Sequence, residues 1–352
     1  MLIQAVRTVL PEHRYEQARI TEAVRGLLPR DLPGGAEALR RFHTATGVTG
    51  RHLALPLERY GGLGGFTEAN EAYADAALDL GERAVKAALG EAGIAPEEVD
   101  HLVFCSSTGV ATPSLDSRLA QLAGLRPDVK RVPMFGLGCA GGAAGLARLH
   151  DYLRGWPGQT GLLVCVELCS LTVQRDDASV ANLIASGLFG DGAAAVAAVG
   201  DGRRADVRGP RVVATRSRLY PGTRHLMGWQ VGDFGLRIVL APDLVDLVEA
   251  RLAVDVAGFL AEHGLCVGDV GSWICHPGGP KVIEVIARVL DLPEHALDVT
   301  WRSLRGVGNM SSVSVLHVLQ ETIAHRRPAP GEPAVLLALG PGFAAEFVLL
   351  RW

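Results

Sequence analysis

The 352-residue chain has no clustered run of basic residues. Its 34 Lys and Arg are dispersed against 38 Asp and Glu, for a formal net charge of −4 and a pI near 6.3. That distribution argues against nucleic acid as a partner, since gripping phosphates takes concentrated positive charge. Paired Cys-x-x-Cys spacing is also missing. The six cysteines, at 105, 139, 165, 169, 266 and 275, stand in apolar runs, which suggests neither a disulfide framework nor a zinc site. No metal is expected, and a reducing cytoplasm fits. No segment offers 18 uninterrupted apolar residues: AVLLALGPGFAAEFVLL comes closest, but Gly-Pro-Gly breaks it and it carries Glu346, so membrane insertion is not expected. MLIQAVRTVLPEHR lacks the basic start and long apolar centre of a signal peptide and reads better as a first strand.

What is present is a packed, duplicated chain. A content of 48% hydrophobic and 20% charged residues fits a folded globular protein, long enough for two core-bearing units or one large duplicated domain. Two distant segments follow one template. ALGEAGIAPEEVDHLVFCSSTG runs from a helix end through Gly93 and Val99 into a strand finishing at Cys105, and FLAEHGLCVGDVGSWICHPGG repeats this with Gly264, Val270 and His276, each 171 residues later. GLGC (Gly136 to Cys139) corresponds to GVGN (Gly306 to Asn309) at an offset of 170, and GDGAAAV from Gly190 pairs with GPGFAAE from Gly340. Order and spacing are both kept. Helical patterns alternating with short Val/Leu/Ile runs give an α/β class, with a first half over residues 1–205 and a second over 206–352.

Two copies of such a unit would bring the glycine elbows together about a pseudo-two-fold axis, so that Cys139, His276 and Asn309 meet. Each residue alone has an ordinary explanation. A lone cysteine is commonly a small buried hydrophobe, His276 can cap a strand before a Pro-Gly turn, and Asn309 can cap a helix. In FGLGCAGGAAGL, however, glycines allow close approach of a ligand, and free N–H groups at a helix start favour a thiolate. An imidazole beside that sulfur can hold its proton or sit as a charged partner, raising the thiolate fraction. The N–H groups of a histidine and an asparagine can also converge on one carbonyl oxygen as it becomes negative, which suits a malonyl thioester losing CO₂.

GLGCAGG, ICHPGGPKVIE, GVGNMSSVSVL, GLFGDGAAAV and the terminal LGPGF together resemble the signature set of type III polyketide synthases, the chalcone synthase-like group of the thiolase fold. The bacterial members are the nearer likeness, and the resemblance runs from about Arg51 through Phe343. It implies a thiolase-like α/β/α/β/α assembly of the two halves, acting as a cytoplasmic homodimer. It further implies that acyl-CoA loads Cys139, that His276 and Asn309 support decarboxylation of malonyl-CoA, and that the extended chain cyclises to a pyrone, resorcinol or related ring. Coenzyme A thioesters enter as substrates, with no resident cofactor. Phe189 matches one gate phenylalanine, and the second falls on Leu236 in GDFGLRIVL. Ser107 and Thr108 match the starter pocket, Cys169 and Thr172 match cavity positions tied to chain length and cyclisation, and Ser311 maps to the cavity wall. Arg51 in TGRHL aligns with basic residues that meet coenzyme A phosphates at a tunnel mouth. Glu167 and Asp191 lie in matching motifs, where each is expected to hold a loop or subunit contact.

Two other classes compete. Ketoacyl synthase III enzymes share fold and trio, but their acyl carrier partner calls for a basic patch that is not visible. The order Cys, His, Asn is also similar to papain-like cysteine hydrolases, although the C-G-S-C-W surroundings are missing and this cysteine lies inside an internal repeat.

Overall fold

The computed structural model describes residues 1–29, 34–203, 209–326 and 328–352. The boundary expected between residues 205 and 206 lies outside them. Strands of the first half are β1 (Leu2–Val9), β2 (His13–Glu16), β3 (Gly50–Leu53), β4 (His101–Cys105), β5 (Lys130–Met134), β6 (Thr160–Leu168) and β7 (Asp191–Val199). Its helices are α1 (Gln17–Leu27), α2 (Gly35–Ala45), α3 (Leu57–Tyr60), α4 (Phe66–Ala92), α5 (Leu115–Leu122), α6 (Gly141–Gly155) and α7 (Val180–Leu188). The second half holds strands β8 (Arg211–Leu219), β9 (Met227–Gly232), β10 (Gly235–Leu240), β11 (Ser272–Cys275), β12 (Pro333–Gly340) and β13 (Ala344–Arg351). Its helices are α8 (Leu244–Ala261), α9 (Pro280–Val289), α10 (Asp298–Val307) and α11 (Ser312–His325).

The internal repeat is a repeat of topology. In the first half, β4 pairs parallel with β6, β6 antiparallel with β7, and β7 antiparallel with β1. In the second, β11 pairs parallel with β12, β12 antiparallel with β13, and β13 antiparallel with β8. The first half adds β5 on the outside of β4. The two sheets meet where Leu2 of β1 pairs with Arg211 of β8. α4 is capped by Gly93 at φ +66°, and the turn that follows α8 contains Gly264 at φ +68°, the left-handed conformation that is cheap only without a Cβ.

Alternation along the strands builds the layers. Leu162, Val164 and Val166 of β6 face α4 on the outside, while Leu163 and Cys165 face inward onto α6 and α11. From the opposite side Leu336 and Ala338 of β12 close the same inner core, and Leu337 and Leu339 turn outward to α8 and α9. The order is helix, sheet, paired helices, sheet, helix, as expected for the α/β/α/β/α class. α6 and α11 come close because Gly142 has no side chain: a Cβ there would collide with the Ser312 carbonyl oxygen. Among the described residues no helix is long and apolar enough to cross a membrane.

Candidate active site

Cys139 occupies a single 3-10 turn, Gly138–Ala140, that leads into the buried N-terminus of α6. The turn is clamped from two sides. The Gly138 amide donates to Ser107 Oγ at 3.0 Å, and the Gly-Pro-Gly turn after β12 packs so tightly that a Cβ on Gly340 would come within 2.6 Å of Ala140. His276 is the first residue beyond β11, one position past the strand end, and its amide donates to the Leu337 carbonyl at 2.8 Å. Asn309 lies between α10 and α11, three residues before Ser312, and pairs as a short parallel bridge with Phe189. Its N–H donates to Leu188 O and its carbonyl accepts from Gly190 N, both at 2.9 Å.

The three side chains line one cavity of about 50 Å³. Cys139 Sγ lies 3.9 Å from Asn309 Oδ1 and 4.0 Å from Nδ2. Asn309 Oδ1 accepts from the Ser311 amide at 2.8 Å, and Nδ2 donates to Gly278 O at 3.3 Å. Among the described residues neither ring nitrogen of His276 has a partner. Apart from the trio and Gly278 the lining is apolar, with Phe189, Met227, Ile238, Leu240 and Val282 among it. Asn309 directs its amide elsewhere than the imidazole, so the His-orienting contact of a papain-like hydrolase is not made.

Burial sets the charges. It pushes the Cys139 thiol up to about 12, a rise that the nearby Glu167 carboxylate adds to and hydrogen bonds from Ser311 and Asn309 oppose. Burial also pulls His276 down to about 3. Burial therefore disfavours the thiolate and the imidazolium alike, whereas the sequence suggested a thiolate sustained by histidine.

Glu167 is more central than its motif implied. Its carboxylate, buried in β6, accepts from Ser107 N and Thr108 Oγ1 at 3.0 Å, from Ser312 Oγ at 2.7 Å and from Ser311 Oγ at 3.3 Å. Burial pushes it up to about 7 against those four donors. An acidic side chain in the otherwise apolar run TGLLVCVEL was the signal that could have marked it. Asp191 likewise holds loops, accepting from Ala54 N at 2.6 Å and Ser170 N at 2.8 Å.

The other expected positions divide. Phe189 lines the trio's cavity and a neighbouring one of about 40 Å³, which Cys169 also lines. Thr108, Thr172 and Leu236 line a larger cavity of about 350 Å³. Ile238, two positions on from Leu236 along the same strand face, lines the trio's cavity together with Phe189. Ser107 is fully buried, its hydroxyl occupied in holding Gly138. Ser311 sits beside the thiol and Glu167 at a positive φ of 48°. Arg51 contradicts its expected role. It is 2% exposed, and its guanidinium donates to the carbonyls of Ser186, at 2.7 Å, and Phe189, so it presents no charge to a tunnel mouth.

Comparison with known proteins agrees with this geometry. The family models for the N- and C-terminal domains of chalcone and stilbene synthases match residues 3–202 and 211–352. A 1,3,6,8-tetrahydroxynaphthalene synthase of Streptomyces peucetius subsp. caesius is 56% identical, covering 99% of this chain and 93% of that protein. A putative chalcone synthase of Bacillus subtilis (strain 168) is 34% identical over 99% and 98% of the two chains. Among solved structures, the 1,3,6,8-tetrahydroxynaphthalene synthase of Streptomyces coelicolor A3(2), a bacterial type III polyketide synthase, superposes with a TM-score of 0.94 at 29% identity over 100% of this chain and 99% of that one. The chain belongs to the chalcone and stilbene synthase family, the type III polyketide synthases. It has their thiolase-like fold and is an acyltransferase-type enzyme that condenses thioesters and closes rings.

Proposed function

We propose that this enzyme assembles a polyhydroxylated naphthalene from malonyl-CoA, with Cys139, His276 and Asn309 as its catalytic residues. The observation that carries the reading is their convergence on one apolar cavity, with neither imidazole nitrogen partnered among the described residues. Cys139 attacks the starter thioester as its proton passes to His276. The acyl–sulfur bond to coenzyme A breaks, the bond to Sγ forms, and the departing thiolate takes the proton. Malonyl-CoA then loses CO₂. The electron pair left on carbon spreads onto the thioester oxygen, which His276 and Asn309 Nδ2 meet with hydrogen bonds. Attack of that carbon on the Cys139 thioester lengthens the chain by two carbons and frees the sulfur. The side-chain N–H groups stabilise the charge on that oxygen, so the reaction needs no resident cofactor or metal.

The choice of product is supported by the tetrahydroxynaphthalene synthases among the relatives. Oxygens at positions 1, 3, 6 and 8 alternate as in a folded chain of ketones, and no alkyl or aryl substituent of a distinct starter remains. Growth of such a chain is accommodated by Phe189, which walls both small cavities, and by Leu27, Tyr60, Ser170 and Val173, shared between the second and the 350 Å³ cavity. The working form is a homodimer. Supporting it, β5 is an outer strand with its far edge unpaired among the described strands, and Val132 on it and Phe135 just past its end are 39% and 55% exposed, a surface a second copy would cover. A cytoplasmic setting fits the six free cysteines.

Incubating the protein with malonyl-CoA alone, then with a panel of acyl-CoAs, and following CO₂ and product mass tests the reading. A naphthalene product from malonyl-CoA alone is expected. CO₂ release or ring formation that requires an added acyl starter would replace this substrate choice, and release of free acid without chain extension would refute the condensation.

A further inference from the structure

We propose that Arg51 is a positioning residue that sets Asn309 for decarboxylation while leaving Cys139 untouched; the inference rests on the roles assigned to those two residues above. Arg51 lies on β3, remote from Asn309 in sequence, and is among the largest fully buried side chains. A guanidinium is costly to bury without compensation; the Asp191 carboxylate attracts this one from beyond ion-pair distance. Its two donors instead take the Ser186 and Phe189 carbonyls, which lie at the C-terminal end of α7, where helix carbonyls lack partners and cations are favoured. A planar fork fixes both carbonyls at once, whereas an ammonium supplies a single point.

The segment fixed in this way is the one that holds Asn309. Leu188 O and Gly190 N bond the backbone of Asn309 on either side of Phe189. The arginine stem also packs on the preceding residue: a Cβ on Gly308 would sit 3.0 Å from Arg51 Cδ, 3.1 Å from Cγ and 2.7 Å from Leu188 O. Gly308 has φ +73°, so the backbone turns there only because nothing occupies that space. Cys139 hangs from a different support, the Ser107 hydroxyl and the turn at Gly340. Displacing the 188–190 segment therefore moves the carboxamide and spares the sulfur.

Arg51→Lys keeps the charge and most of the stem but loses the fork. In the full-length protein, malonyl-CoA decarboxylation should fall about 100-fold, the cost of a displacement near 1 Å, with the loss in kcat and little change in KM. Acylation of Cys139 by hexanoyl-CoA, read by intact mass, should continue. Gly308→Ala presses on the Arg51 stem and on Leu188 O while keeping the guanidinium and its charge, and should give the same split, so it decides the matter if the arginine variant does not fold. CO₂ release at the wild-type rate in both variants, or parallel loss of acylation and decarboxylation, would overturn the proposal. Wild-type protein that neither accepts the acyl group nor releases CO₂ would instead overturn the reaction itself.

Discussion

Glu167 of the first half and Ser312 of the second share a 2.7 Å hydrogen bond at the centre of the molecule. The same carboxylate is near enough to Cys139 to raise its thiol. Glu167→Gln removes the charge, and the amide can still be satisfied, with its oxygen toward the Ser107 amide and its NH₂ toward the Ser311 and Ser312 hydroxyls, which can accept. Alkylation of Cys139, followed by peptide mass, should begin at lower pH in the variant. An unchanged profile would remove Glu167 from control of the sulfur. The variant also has a stability signature. Glu167 is raised from 4.5 to about 7 in the folded state, so its contribution is fully present below 4.5 and lost as pH rises through about 7. The denaturation midpoint of wild type relative to the variant should fall across that window.

Cys139→Ala and Asn309→Ala should separate the two half-reactions. The first abolishes acyl attachment while leaving CO₂ release measurable. The second removes one donor from the developing enolate, a loss of roughly 2.7–4 kcal/mol, or about 10²–10³ in decarboxylation rate, while Cys139 still loads. Acyl transfer surviving Cys139→Ala would end its assignment as nucleophile.

Ile238 lines the small cavity together with Phe189, so its size should govern how far a chain grows. Ile238→Phe is expected to shift products to fewer extensions and Ile238→Ala to more, as judged by mass spectrometry of malonyl-CoA reactions. An identical product spectrum in both would show that the chain takes another route.

Gly142→Ala tests the helix contact at the pseudo-two-fold axis. The added methyl meets the Ser312 carbonyl and, at 2.8 Å, Val315, and should cost at least the ~1–3 kcal/mol typical of an overpacked core, seen as a lower urea midpoint. A midpoint equal to wild type would mean that α6 and α11 can separate freely.

Val132→Asp places charge on β5 and Phe135→Asp just past its end. Sedimentation velocity should show the mass halved relative to wild type if this edge joins two copies. A wild-type sedimentation profile in both variants would move the interface elsewhere.

The trio could be read in the sequence because duplication correlates positions that lie far apart: the offset linking Gly93 to Gly264 also links Cys105 to His276, and nearly the same one links Cys139 to Asn309. The layers could be read as well, since β6 and β12 are apolar on both faces. Burial of polar side chains could not. TGRHL looks like a solvated turn, and only the arrival of α7 and Gly308 from distant segments encloses Arg51. Leu236 and Ile238 share one strand face, and alternation cannot say which of two cavities each meets. The charge states at the cavity were equally hidden, because desolvation depends on what closes over the site rather than on its neighbours in the chain.

The sheet junction at Leu2 and Arg211 has one more consequence. The sulfur arrives on one copy of the duplicated unit, and the imidazole and carboxamide on the other, so neither copy expressed alone is chemically competent. A chain cut between them would recover turnover by fragment complementation, with activity reporting directly on how tightly the two pieces reassociate.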